Sequence, residues 1–182
     1  MKTYSLFTTV VLVGCLFCST RGLAQSGDLR VVLLRHAEKP WKGDGLTCQG
    51  MNRSQELVGL LYSKFGLPGA IYIPNKGKKD TKRSRMYQTI LPFASKYRLP
   101  VNADFHEDEI SGMAAEIRKQ RGLVLVVWEH SGLPEIAQKL GVKEELRWKD
   151  ADYDSLWILR YVNGQAVMTR DKEGLHPSTS CP

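Results

Sequence analysis

The stretch LRVVLLRHAEKP, Leu29 to Pro40, turns from apolar to charged at its midpoint. Its first half is a short run with β-branched residues, the pattern of a strand buried on both faces. At Arg35 and His36 that pattern stops, and Pro40 cannot donate to a continuing ladder. The same transition recurs downstream. LVLVVW, Leu123 to Trp128, is the clearest strand pattern in the chain, and Glu129-His130-Ser131-Gly132 follows it at once. If the two strands run parallel, His36 and His130 emerge on one edge of the sheet. In open α/β sheets that carboxyl edge is where ligands bind.

The intervening segments alternate in type. Gln49 to Phe65 carries Leu57, Leu60, Leu61 and Phe65 at helical spacing, and Gly66 to Gly69 ends that helix. Ala70 to Ile73 reads as a second strand. Pro74 to Arg85 is a basic, glycine-containing loop whose lysines read mostly as a solvated surface. Met86, Ile90, Phe93, Ala94 and Tyr97 then predict a helix that opens near Ser84, with Arg85 in its first turn. Val101 to Phe105 suggests a short strand and Gly112 to Arg121 a short helix. A last helix begins by Pro134, where an early proline is tolerated, and stops at Gly141. Ser155 to Val162 and Gln165 to Thr169 flank Asn163-Gly164, a strong two-residue hairpin signal. The expectation is a three-layer α/β/α sandwich with a mostly parallel central sheet and an antiparallel hairpin near the C-terminus.

Three motifs carry a resemblance. Leu33-Leu34-Arg35-His36-Ala37-Glu38-Lys39 resembles the signature of the histidine phosphatase superfamily, the phosphoglycerate-mutase-like fold. Arg85-Met86-Tyr87-Gln88-Thr89 is similar to that family's second arginine motif, and Val127-Trp128-Glu129-His130-Ser131 to its second histidine. They occur in the family's order. The resemblance implies a phosphatase in which His36 is phosphorylated during turnover, with Arg35, Arg85 and His130 holding the phosphate. The chemistry asks for such groups. A neutral imidazole is a competent nucleophile near neutral pH, and a guanidinium presents a planar fork to phosphate oxygens. The resemblance also places the general acid after a short strand, where Glu107 stands in Phe105-His106-Glu107; Glu109 and Glu129 stay open as alternatives. Ser131 stands where phytase-like relatives carry a carboxylate, which argues against that branch.

Other residues receive plainer readings. Glu38 either orients the Arg35–His36 loop or faces solvent. His106 and His176 read as surface residues. Trp41, Trp148 and Trp157 read as packing residues, and Tyr72, Tyr87 and Tyr97 as core or near-core.

Residues 1–24 stand apart. Lys2 precedes an almost unbroken apolar run from Leu6 to Phe17, and small residues close the stretch at Gly22-Leu23-Ala24. This is the layout of a secretory signal peptide, with cleavage after Ala24 preferred over a lipidated Cys15. The apolar run is short for a membrane span. Residues 25–182 then form a single phosphatase-like domain, periplasmic or secreted. Cys48 and Cys181 are its two cysteines, and in an oxidising compartment they are expected to pair.

The net charge of +7 falls slightly once Lys2 and Arg21 are set aside. It favours acidic ligands such as a small phosphorylated substrate, and no aromatic-interleaved basic tract points to nucleic acid. No cofactor or metal is expected. A metal-dependent hydrolase built on His36, Glu38, Glu129 and His130 fits no tight zinc spacing, and Arg35 and Arg85 would repel a cation. The other alternative is a protein of the same fold that binds phosphate esters with little or no turnover.

Overall fold

The computed structural model describes residues 28–77 and 84–181. The expected signal segment and the middle of the basic loop, 78–83, lie outside them. Six strands and four helices follow in the order β1 (Arg30–Arg35), α1 (Cys48–Phe65), β2 (Ala70–Tyr72), α2 (Arg85–Tyr97), β3 (Val101–Asn102), α3 (Ile110–Ile117), β4 (Leu123–Trp128), α4 (Leu133–Lys139), β5 (Ser155–Val162) and β6 (Gln165–Lys172). They form one sheet in the order β3-β2-β4-β1-β5-β6. The first four of these are parallel, and β5 and β6 add an antiparallel hairpin at one edge. Among the described residues no helix is long and apolar enough to cross a membrane.

The strand sequences explain why both faces are covered. Side chains alternate across a strand, and every second residue of β1 and β4 enters a different core. Val31, Leu33, Val124, Val126 and Trp128 pack with Met113, Ile117, Leu133 and Ile136 of α3 and α4. Val32, Leu34, Leu125 and Val127 pack with Leu57, Leu61, Ile90 and Phe93 of α1 and α2. These residues are fully buried, each contributing about 1.5–3 kcal/mol of apolar burial. Trp148 and Trp157 are buried as expected, and their rings lie 4.6 Å apart. Trp41 corrects its reading. It is 92% exposed, because the loop after β1 carries it away from both cores.

The hairpin turns at Asn163-Gly164, where both residues take positive φ (50° and 76°), as a type I′ turn requires. Beyond it the chain crosses to α1. Glu173 is buried against Arg53, and Cys48 and Cys181 are bridged across 133 positions. In the loop-entropy account such a closure stabilises by about 4–5 kcal/mol.

Candidate active site

Registry brings the two histidines together. Arg35 lies opposite Trp128 in the parallel β1–β4 ladder, and the His36 amide continues it to the Trp128 carbonyl at 3.1 Å. His36 and His130 therefore leave the sheet side by side, at its carboxyl edge.

His36 is fully buried. Its Nδ1 lies 2.7 Å from the Ala37 carbonyl oxygen, a contact that places the proton on Nδ1. Nε2 is then left with its lone pair, and it has no hydrogen-bond partner among the described residues. Burial lowers the pKa of His36 to about 4; Glu129 opposes that shift, and Arg35 and Arg85 add to it. The ring is neutral near pH 7.

The loop after His36 is pinned at several points. The Ala37 amide donates to Thr89 Oγ1 at 2.8 Å, and Thr89 donates to the Arg85 carbonyl at 2.7 Å. Glu38 is settled as an orienting residue: Arg53 grips its carboxylate through Nε and Nη2 at 2.8–3.1 Å, and Arg53 Nη1 bonds Glu173. Burial pushes the Glu173 carboxyl up to about 7, against the pull of Arg53. The Glu38 carbonyl accepts the Thr47 amide at 2.9 Å, and Thr47 caps α1 by accepting the Gly50 amide.

Arg85 opens α2, with Ser84 as its N-cap. Its guanidinium reaches Glu129 Oε1 at 3.4 Å and the Gly43 carbonyl at 2.9 Å. Arg35 is 3% exposed, lies 3.9 Å from the centre of the Tyr153 ring, and donates through Nη1 to the Asp150 carbonyl. His130 Nε2 meets Asp150 Oδ1 at 3.2 Å, and its Nδ1 has no partner among the described residues. The four residues singled out by motif thus share one set of neighbours: Glu129 acts on His36, Arg35 and Arg85, and Asp150 joins Arg35 to His130.

The carboxylates divide. Glu107 is exposed and lies 2.8 Å from Lys76 Nζ, and the same lysine lies 3.6 Å from Glu129. Glu109 accepts the His106 amide at 2.7 Å and serves its own turn. His106 and His176 are exposed, as expected.

Asp150, Tyr153 and Arg53 carry no motif in the sequence, and Thr89 stands inside the Arg85–Thr89 motif with a partner that only packing sets. Asp150 and Tyr153 lie in an aperiodic connection, KDADYD, between α4 and β5, where no pattern marks a direction. A buried cation on α1 needs a buried acid, so Arg53 at a core-facing helical position was the one legible signal.

No family model and no curated protein matches the chain. Solved structures do. The protein histidine phosphatase SixA complexed with tungstate superposes with a TM-score of 0.59 at 14% identity, covering 79% of this chain and 97% of its own. A phosphoserine phosphatase mutant from Entamoeba histolytica, in complex with phosphoserine, gives 0.55 at 11% identity, over 80% and 96%. Phosphoglycerate mutase from Plasmodium falciparum gives 0.53 at 12% identity, over 86% and 98%. The chain shares the fold of these phosphatases and this mutase.

Proposed function

We propose that the chain is a phosphoric monoester hydrolase that works without a metal, through a phosphohistidine on His36. One observation carries the reading: a buried, neutral imidazole beside two guanidinium groups, with Nδ1 fixed on a carbonyl and Nε2 unpartnered among the described residues. That is the arrangement of an activated nucleophile. Nε2 attacks phosphorus, the ester P–O bond breaks, and the leaving oxygen takes a proton. Water then attacks the phosphohistidine, loses a proton to a base, and releases inorganic phosphate and free His36. Arg35, Arg85 and His130 neutralise the equatorial oxygens, where phosphoryl transfer is mostly positioning and charge.

Glu107 is the proposed acid and base. Lys76 meets both Glu107 and Glu129, which sets Glu107 one lysine away from the groups around His36. The Lys76 contact must open before Glu107 can protonate a poor leaving group. Aryl phosphates and phosphohistidine, with good leaving groups, are therefore the favoured substrate classes. A metal-dependent site is disfavoured because the Glu38 carboxylate is committed to Arg53. The disulfide is compatible with export to the periplasm or beyond the cell.

The test compares wild type, His36→Ala and Glu107→Gln on alkyl and aryl phosphates, with and without chelator. His36→Ala should remove turnover on both. Glu107→Gln should slow alkyl esters by about 10²–10⁴-fold, the usual worth of a positioned acid, and aryl esters much less. Equal losses on both would remove Glu107 from the mechanism. A protein that binds phosphate esters with no turnover is the second reading, favoured by the Lys76 contact that engages Glu107.

A further inference from the structure

The connection between α4 and β5 packs against His130, Arg35 and His36. The Asp150 carboxylate sits on His130 Nε2 at 3.2 Å. The Asp150 and Asp152 carbonyls accept from Arg35 Nη1. The Tyr153 ring stacks on the Arg35 guanidinium and stands edge-on to His36, with ring centres 6.0 Å apart. An anion, two carbonyl acceptors and an aromatic face thus engage the cationic side of the site.

The mounting of this segment is firm, and the carboxylate at its tip is exposed. Trp148 Nε1 donates to the Asp152 carbonyl at 2.9 Å. The Asp152 carboxylate accepts from the Asp154 and Ser155 amides and from Ser155 Oγ at 2.6–3.0 Å. Against the upward push of burial, these bonds lower its pKa. The Asp150 side chain, by contrast, is 88% exposed and meets His130 Nε2. An exposed carboxylate on a rigid mount is held in place yet costs little to move.

We propose, resting on the phosphatase reading, that Asp150 is a built-in competitor for the phosphate, holding His130 until a phosphoryl group displaces it. A phosphate monoester carries close to two negative charges and three acceptor oxygens, so it outcompetes a single carboxylate for His130. A weaker anion, such as a free carboxylate, does not. The device lowers the affinity for every anion by one factor, the reciprocal of the fraction of molecules in which His130 is released. It sets a threshold and leaves the chemical step alone.

The test uses Asp150→Asn, which keeps the size and removes the charge. Glu145→Gln, farther up the same connection, controls for net charge. Asp150→Asn should lower KM for an aryl phosphate and the inhibition constant of inorganic phosphate by the same factor, roughly three- to tenfold. That is the size expected for losing one exposed polar contact and one repulsion between anions. The turnover number should hold, and Glu145→Gln should change neither constant. In the wild type, inorganic phosphate should also shift the Trp148 indole N–H resonance.

An unchanged or raised KM in Asp150→Asn overturns the proposal. So does an equal fall in Glu145→Gln, or a Trp148 resonance blind to phosphate. A fall in turnover on alkyl but not aryl esters would instead make Asp150 the acid, and also overturns it. Calorimetric titration with inorganic phosphate keeps the two readings apart. If no variant turns over, tighter binding by Asp150→Asn still supports the competitor while the phosphatase reading falls.

Discussion

His36 is set apart from an ordinary histidine by what surrounds it, and its proton is the most direct report on that setting. Burial holds its pKa at about 4 in the folded chain, against roughly 6.5 in the unfolded one. The unfolded chain therefore takes up a proton between these values and the folded chain does not, so His36 makes stability fall as pH drops from about 6.5 to about 4. The loss amounts to up to about 3 kcal/mol. An NMR titration of the ring nitrogens should give a midpoint near 4; a midpoint at 6 or above would mean that the imidazole is solvated. Removing the ring should cost turnover more than any other substitution, on the order of 10⁴-fold or greater, as for other covalent nucleophiles.

At the scale of elements, the site depends on how closely α1 approaches the loop after β1. A Cβ on Gly50 would lie 2.3 Å from the Glu38 carbonyl oxygen, a backbone atom that cannot step aside. Gly50→Ala should cost about 1–3 kcal/mol and lower kcat/KM together with stability, as read by denaturant melts beside steady-state rates. Arg53→Met should cost about 3–5 kcal/mol, because it leaves the carboxylates of Glu38 and Glu173 without their cation; a loss under 1 kcal/mol would show that the pair is dispensable. The elements themselves were legible. Apolar runs at 29–34 and 123–128, helical spacing at 49–65 and 86–97, and Asn163-Gly164 each signal a structure through local physics. Arg85 was placed in its first turn by Ser84 and the periodicity after it. The partners of these residues were not legible, since Thr89 meets Ala37 and Arg53 meets Glu38 and Glu173 only after long-range packing.

For the whole molecule, the sheet presents Arg35, His36 and His130 at one edge and the start of α2 adds Arg85, while the C-terminal segment locks α1 from outside. Reducing the Cys48–Cys181 bridge should lower stability by about 2–5 kcal/mol and leave turnover at permissive temperature largely intact, since neither cysteine touches His36. Melts of wild type and Cys181→Ser with and without thiol check this; a matching loss of activity would tie the bridge to the site. The convergence of His36, Arg35, Arg85 and His130 was predictable from motif order and strand ends. Asp150 and Tyr153 were not, because a connection without periodicity gives no clue to the face it covers. The phosphoenzyme is the measurement that tests the account most directly. Wild-type protein is mixed with a ³²P-labelled aryl phosphate, quenched in alkali to preserve phosphohistidine, digested and mapped. Label on the peptide containing His36, absent in His36→Ala, is the expected result; steady turnover with no label on that peptide would contradict it.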